Sequence, residues 1–147
     1  MSDFHPEFFG GNNDAARLVA NLCDVAHTWD DLVDKDSPVS EEQVNRCMSL
    51  ALVGIPSNPF YQTHHSALLP LIYTGVLGYL TANRMEKSGD AHQLEIAHGL
   101  RYAVAHVAAF AVGVTNTPDQ AVLILPEAWK EWMPERFADY SKEHAHA

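Results

Sequence analysis

A chain of 147 residues is enough for one domain and short for two. With 47% hydrophobic and 19% charged residues it can build a core, which excludes disorder for the whole chain. Nine Lys and Arg stand against nineteen Asp and Glu, a formal net charge of −10, which argues against nucleic-acid binding and against docking on anionic lipid.

Residues 1–13 are rich in Gly and Asn and read as an irregular arm that Phe4, Phe8 and Phe9 pin to the body. The first residues lack the basic and apolar runs of a secretory leader. Cys23 and Cys47 have neither metal-site nor disulfide-framework spacing, so a reducing cytoplasm is expected. Asn13 or Asp14 caps a helix reaching about Val33, with Leu18, Leu22, Val25, Trp29 and Leu32 recurring at spacings of three and four. Asp36-Ser37-Pro38 ends it. Ser40 and Gln43 form a capping box for a second helix, 41–53. The turn cluster 54–59 follows.

A third helix starts near Phe60 or His64 and reaches Glu86. Its middle is apolar all round, which suits the buried centre of a bundle. Pro70 bends it or marks a restart. Its apolar stretch 67–82 is interrupted by Pro70, Gly75 and Gly78 and falls short of the ~20 residues of a membrane span. Asp90 caps a fourth helix to about Val112, where Gly113 stops it. Within it, His106 reads as a hydrogen-bonded core histidine. Thr117-Pro118 restarts a short helix. Pro126 and Pro134 divide the remainder, and the polar tail 141–147 frays. No strand alternation or hairpin signal occurs. The expectation is all-α: one domain, 1–147, a compact bundle of about four main helices with short terminal ones. Helices three and four should form a central antiparallel pair. Two such apolar helices are hard to cover in a single copy, so a homodimer is expected.

The segment His27-Thr28-Trp29-Asp30-Asp31-Leu32-Val33-Asp34 is the chemical candidate. On a helix, His27, Asp30, Asp31 and Asp34 share one arc about 100° wide, opposite the apolar stripe. Like charges at i,i+4 repel, and a bound Mg²⁺ or Mn²⁺ would reverse that term. Asp30, Asp31 and Asp34 are therefore candidate metal ligands, with Glu86 and Glu95 completing the shell. His27 and Asp31 are candidate catalytic groups. Asn83, His98 and Arg101 are candidate substrate contacts, Arg101 steadying a phosphate or pairing with a buried carboxylate. The alternative is a solvated acidic face. Neither cysteine has a neighbouring base apparent in the sequence, so thiol catalysis is not expected.

The run Asp30-Asp31-Leu32-Val33-Asp34 resembles the DDxxD motif of the all-α isoprenyl diphosphate and terpene synthases. In those families the first and last aspartates bind the Mg²⁺ that holds a diphosphate. The likeness covers that run alone, and the second metal motif is absent. Small all-α nucleotide pyrophosphohydrolases, which hold Mg²⁺ on acidic helix pairs, are similar in architecture only. Three runs carry a longer resemblance: His27 to Asp34, Gln43-Val44-Asn45-Arg46, and Asn58-Pro59-Phe60-Tyr61. In these the chain resembles small helical proteins encoded by tailed bacteriophages, across most of residues 12–113. This implies a viral or prophage origin and a host-cytoplasmic location, without an activity. Two functions follow as expectations. One is a Mg- or Mn-dependent hydrolase or binder of a phosphorylated small molecule, a nucleotide or diphosphate. The other is a non-catalytic phage protein: virion component, host-factor antagonist or ligand sponge.

Overall fold

A computed structural model describes residues 5–144, and all regular structure among them is helical. The arm is more ordered than its composition predicts. Pro6–Phe9 forms a 3₁₀ turn, Phe9 is fully buried, and Phe8 packs on the core. The Asn116 side-chain amide donates to the Phe8 carbonyl at 2.9 Å and ties the arm to the far end of the chain. Phe4 lies outside the described residues.

Helix α1, Asn13–Asp34, is capped by Asn12, whose side chain accepts from the Ala15 amide. Its cap is one residue earlier than expected. Lys35 ends it in the left-handed region at φ 60°. Helix α2, Glu41–Ser49, carries the expected capping box of Ser40 and Gln43. It passes into a wider π turn, Leu50–Gly54, where a continuous helix to 53 was expected.

Helix α3, Pro59–Glu86, starts at the Asn58 cap. The backbone leaves helical values at His64, φ −110° and ψ 18°, six residues before Pro70. The His64 ring lies against Phe60 and Phe110, with centroids 4.5 and 6.0 Å away. The bend thus falls where an aromatic wedge sits, and Pro70 is absorbed within the helix.

The expected fourth helix is two. Helix α4, Ala91–Leu100, ends at Arg101, and α5, Ala103–Thr115, starts after Tyr102 at φ −93° and ψ 39°. Neither residue is a conventional breaker. What occupies the break is the Arg101 ion-pair cluster described below. Helix α5 runs past Gly113 to Thr115. Thr117 and Pro118 open α6, Pro118–Trp132, as predicted, although Pro126 lies inside it. Residues 141–144, expected to fray, belong to α7, Phe137–His144, which buries Tyr140. Residues 145–147 of the expected tail lie outside the described set.

Helix α3 packs against both α4 and α5. A Cβ at Gly75 would lie 2.9 Å from the Ala103 Cβ, and one at Gly78 would lie 3.4 Å from the Leu100 carbonyl. The backbones approach closely and run in opposite directions, the expected antiparallel pairing, but α3 is not the buried centre expected: of its residues only Phe60, Leu68, Ala82 and Glu86 are buried, and its other face lies at the surface. Leu18, Val19, Leu68, Val107 and Val112 form the main core with Phe9 and Phe60. Ala82, Leu94, Ala97 and Tyr140 form a smaller cluster joining α3, α4 and α7. His106, expected inside, is exposed and meets Trp129 edge-on at 5.2 Å.

Candidate ligand-binding cleft

The C-terminal half of α1 faces the α4–α5 break, and Arg101 projects from that break. Its Nη2 donates to Asp30 Oδ1 at 2.8 Å and lies 3.8 Å from Asp34. Nη1 donates to Glu86 at 3.0 and 3.2 Å and to Asn83 Oδ1 at 2.9 Å. The Arg101 side chain is 19% exposed. Burial works against its charge, but Glu86 and Asp30 outweigh that and raise its pKa. Tyr79 donates to Asp30 at 2.9 Å, and its ring lies 5.6 Å from the guanidinium carbon. Burial and the bond to Asp30 push that phenol up to about 12. Tyr140 donates to Glu86 at 2.5 Å, while the His144 ring nitrogen lies 3.7 Å from the same carboxylate. Burial and Glu86 raise the Tyr140 phenol as well.

Of the residues singled out in the sequence, Asp30, Asp34, Asn83, Glu86 and Arg101 converge. The guanidinium stands between the acids where a metal ion was expected. Asp31 is not part of this cluster. It turns toward α2 and lines a second, smaller hollow with Asp24 and Arg46. Glu95 also lies elsewhere, on the surface beside His92 at 3.7 Å. Among the described residues no three His, Cys, Asp or Glu side chains are arranged to hold a metal ion. Asp30 and Glu86 already receive their donors from Arg101, Tyr79 and Tyr140.

Above the cluster opens a cleft of about 710 Å³. Helix α1 lines it with Cys23, His27, Asp30 and Asp34; α6 and the turn after it give Glu131, Trp132 and Glu135; α7 gives Tyr140, Glu143 and His144. Tyr79, Arg101, Tyr102 and Asp36 also line it. Burial, followed by the charge of Asp30 and a hydrogen bond with it, pushes Asp34 up to about 6. Burial and then Glu135 raise the Tyr102 phenol.

His98, expected to touch substrate, lines the cleft. Its Nε2 lies 3.0 Å from the Glu135 carbonyl, and its ring packs on Tyr102, Phe137 and Tyr140. It anchors the α6–α7 turn that forms one rim of the cleft. His27 sits at the mouth with Nδ1 3.9 Å from the Cys23 sulfur. That i,i+4 contact is a base beside a thiol that the sequence reading passed over. Tyr79 and Tyr140 were also missed. The signal for Tyr79 was a phenol on an otherwise apolar helix, and for Tyr140 the spacing of Phe137, Tyr140 and His144.

No protein family, curated protein or solved structure matches this chain. No described helix is long and apolar enough to cross a membrane.

Proposed function

We propose that the chain is a non-catalytic binding protein whose cleft takes a small organic cation, such as a polyamine or a guanidinium compound. The observation that carries this reading is the charge balance of the wall. Arg101 is the one Lys or Arg among the described lining residues, and Asp30 and Glu86 already hold it. Asp36, Glu131, Glu135 and Glu143 then remain with no lysine or arginine against them on that wall, and Asp34 has only the same Arg101 at 3.8 Å. A phosphate entering there would meet like charge, whereas an ammonium or guanidinium group would meet carboxylates and the faces of Tyr79, Tyr102 and Tyr140. The cavity has the size of a small-molecule site. A phage ligand sponge is the biological role most compatible with this chemistry.

A second reading, a Mg- or Mn-dependent hydrolase or binder of a phosphorylated small molecule, draws on the Asp30–Asp34 pair. A hard divalent ion favours such paired carboxylates in place of their shared proton. Titration calorimetry separates the two. Spermidine, arginine amide and tetramethylammonium should give saturable heats that weaken with salt, and Glu135→Gln with Glu143→Gln should weaken binding at least about tenfold. Absence of binding by all three cations overturns the first reading. Binding of ADP that requires Mn²⁺, and that Asp34→Asn abolishes, would establish the second.

A further inference from the structure

We propose that the outward face of α3 is a docking surface for a second copy of this chain. Residues 66–83 of that helix contain no Asp, Glu, Lys, Arg or His, eighteen consecutive positions in a chain of net charge −10. Leu69, Tyr73, Leu77 and Leu80 lie along the exposed side of this run and are 48, 62, 45 and 52% exposed. Their spacing of four, four and three keeps them in one stripe over three turns. The polar groups beside them are already satisfied. Thr74 donates its hydroxyl to the Pro70 carbonyl at 2.8 Å, and Thr81 donates to the Leu77 carbonyl at 2.7 Å. Both threonines have turned their donors onto their own helix, so covering this face strands neither hydroxyl.

Charge selects the occupant. Two copies of a strongly acidic chain repel except where a surface carries no charge, and this run supplies one. The stripe is also self-complementary. When two α3 helices lie antiparallel about a two-fold axis level with Gly75, Leu69 of one copy meets Leu80 of the other, and Tyr73 meets Leu77. An isologous contact of this kind closes at two copies. The four large side chains present on the order of 400 Å² per copy, the scale of the largest apolar patches that monomers carry. With Pro70, Thr74 and Thr81 included, the pair buries on the order of 1,000 Å² in total, the lower edge of a specific interface. A concentration-dependent dimer follows. The surface belongs to α3 alone and does not depend on what the cleft binds.

Sedimentation velocity from low micromolar to about 200 µM should show the wild-type chain passing from one copy to two. Leu77→Glu should raise the midpoint concentration at least about tenfold, with an unchanged far-UV circular dichroism spectrum. Leu123→Glu, at a 78% exposed position on α6, should leave the midpoint where it is. Tyr73→Gln, a milder change at an exposed site, repeats the test if Leu77→Glu does not fold. A wild-type chain that stays monomeric over the whole range overturns the proposal. So does a dimer that keeps its midpoint in both α3 variants.

Discussion

Arg101 illustrates how a single residue sets local structure. Its guanidinium satisfies carboxylates from α1 and α3, and the turn that delivers it interrupts what would otherwise be one long helix. Losing one partner of such a buried group leaves like charges facing each other in a poorly hydrated site. Arg101→Met should therefore destabilise the fold by about 3 kcal/mol, read as a lower midpoint in urea. A loss under about 1 kcal/mol would mean that Asp30 and Glu86 rehydrate freely. Asp34 makes the opposite contribution. Its pKa is pushed from 3.8 to about 6, first by burial and then by Asp30, so the folded chain holds this proton more tightly than the unfolded chain does. The stability gained from that proton is present below the unfolded value and is lost as the pH rises from about 4 to about 6. Asp34 is partly hydrated, with its side chain 32% exposed, which reduces the effect to on the order of 1 kcal/mol. Asp34→Asn should match wild type at pH 4 and exceed it by about that amount at pH 7.5. Equal melting curves at both pH values would mean that Asp34 holds its proton no more tightly in the folded chain than in the unfolded one.

At the level of elements, the legible parts were those whose causes are local. The Ser40–Gln43 box and the Thr117-Pro118 start are interactions within one turn, and the structure has both. The single fourth helix was misread because Gly113 reads as its stop, while Gly99, the weak point next to the actual break, was passed over, and Arg101 and Tyr102 look unexceptional along the chain. The partners that break the helix there, Asp30, Asn83 and Glu86, lie on two other elements. The order of residues 141–144, expected to fray, was missed for a similar reason. Tyr140 is held by Glu86, 54 positions away, and by packing on α4. Asn58 combines both kinds of cause. Its Oδ1 caps α3 through the Tyr61 amide at 3.0 Å, and its Nδ2 reaches the Asp14 carbonyl at 2.9 Å. At 4% exposure neither partner can turn to water. Asn58→Ala should cost about 2 kcal/mol, more than an exposed cap, because a carbonyl of α1 is orphaned with it. Asn58→Asp keeps the cap acceptor but sets a carboxylate oxygen against the Asp14 carbonyl, so it should cost at least as much as Asn58→Ala at neutral pH, which chemical denaturation of the two variants checks.

Over the whole molecule the charge is uneven, and that decides how the protein responds to salt. The candidate residues were legible as an acidic group, but whether a metal ion or an arginine would balance them depended on which way the α4–α5 break faced. In the structure one arginine stands among Asp30, Asp34 and Glu86, while Asp36, Glu131, Glu135 and Glu143 gather around the same opening. Two electrostatic terms of opposite sign result. The Arg101 pairs are attractive, short and shielded, so mobile ions barely reach them. Repulsion among the rim carboxylates, and across a chain of net charge −10, acts through water and is readily screened. Raising salt from about 0.01 to about 0.3 M shortens the screening length from ~30 Å to below 8 Å. The second term therefore weakens far more than the first. The thermal midpoint should rise by a few degrees over that range in NaCl, and Glu135→Gln with Glu143→Gln should reduce the rise by relieving the same repulsion covalently. A midpoint that falls with salt would mean that the surface pairs Arg46–Asp24 and Lys130–Glu127, at 3.1 and 3.0 Å, outweigh the repulsion, and that the rim carries less charge than its four carboxylates suggest.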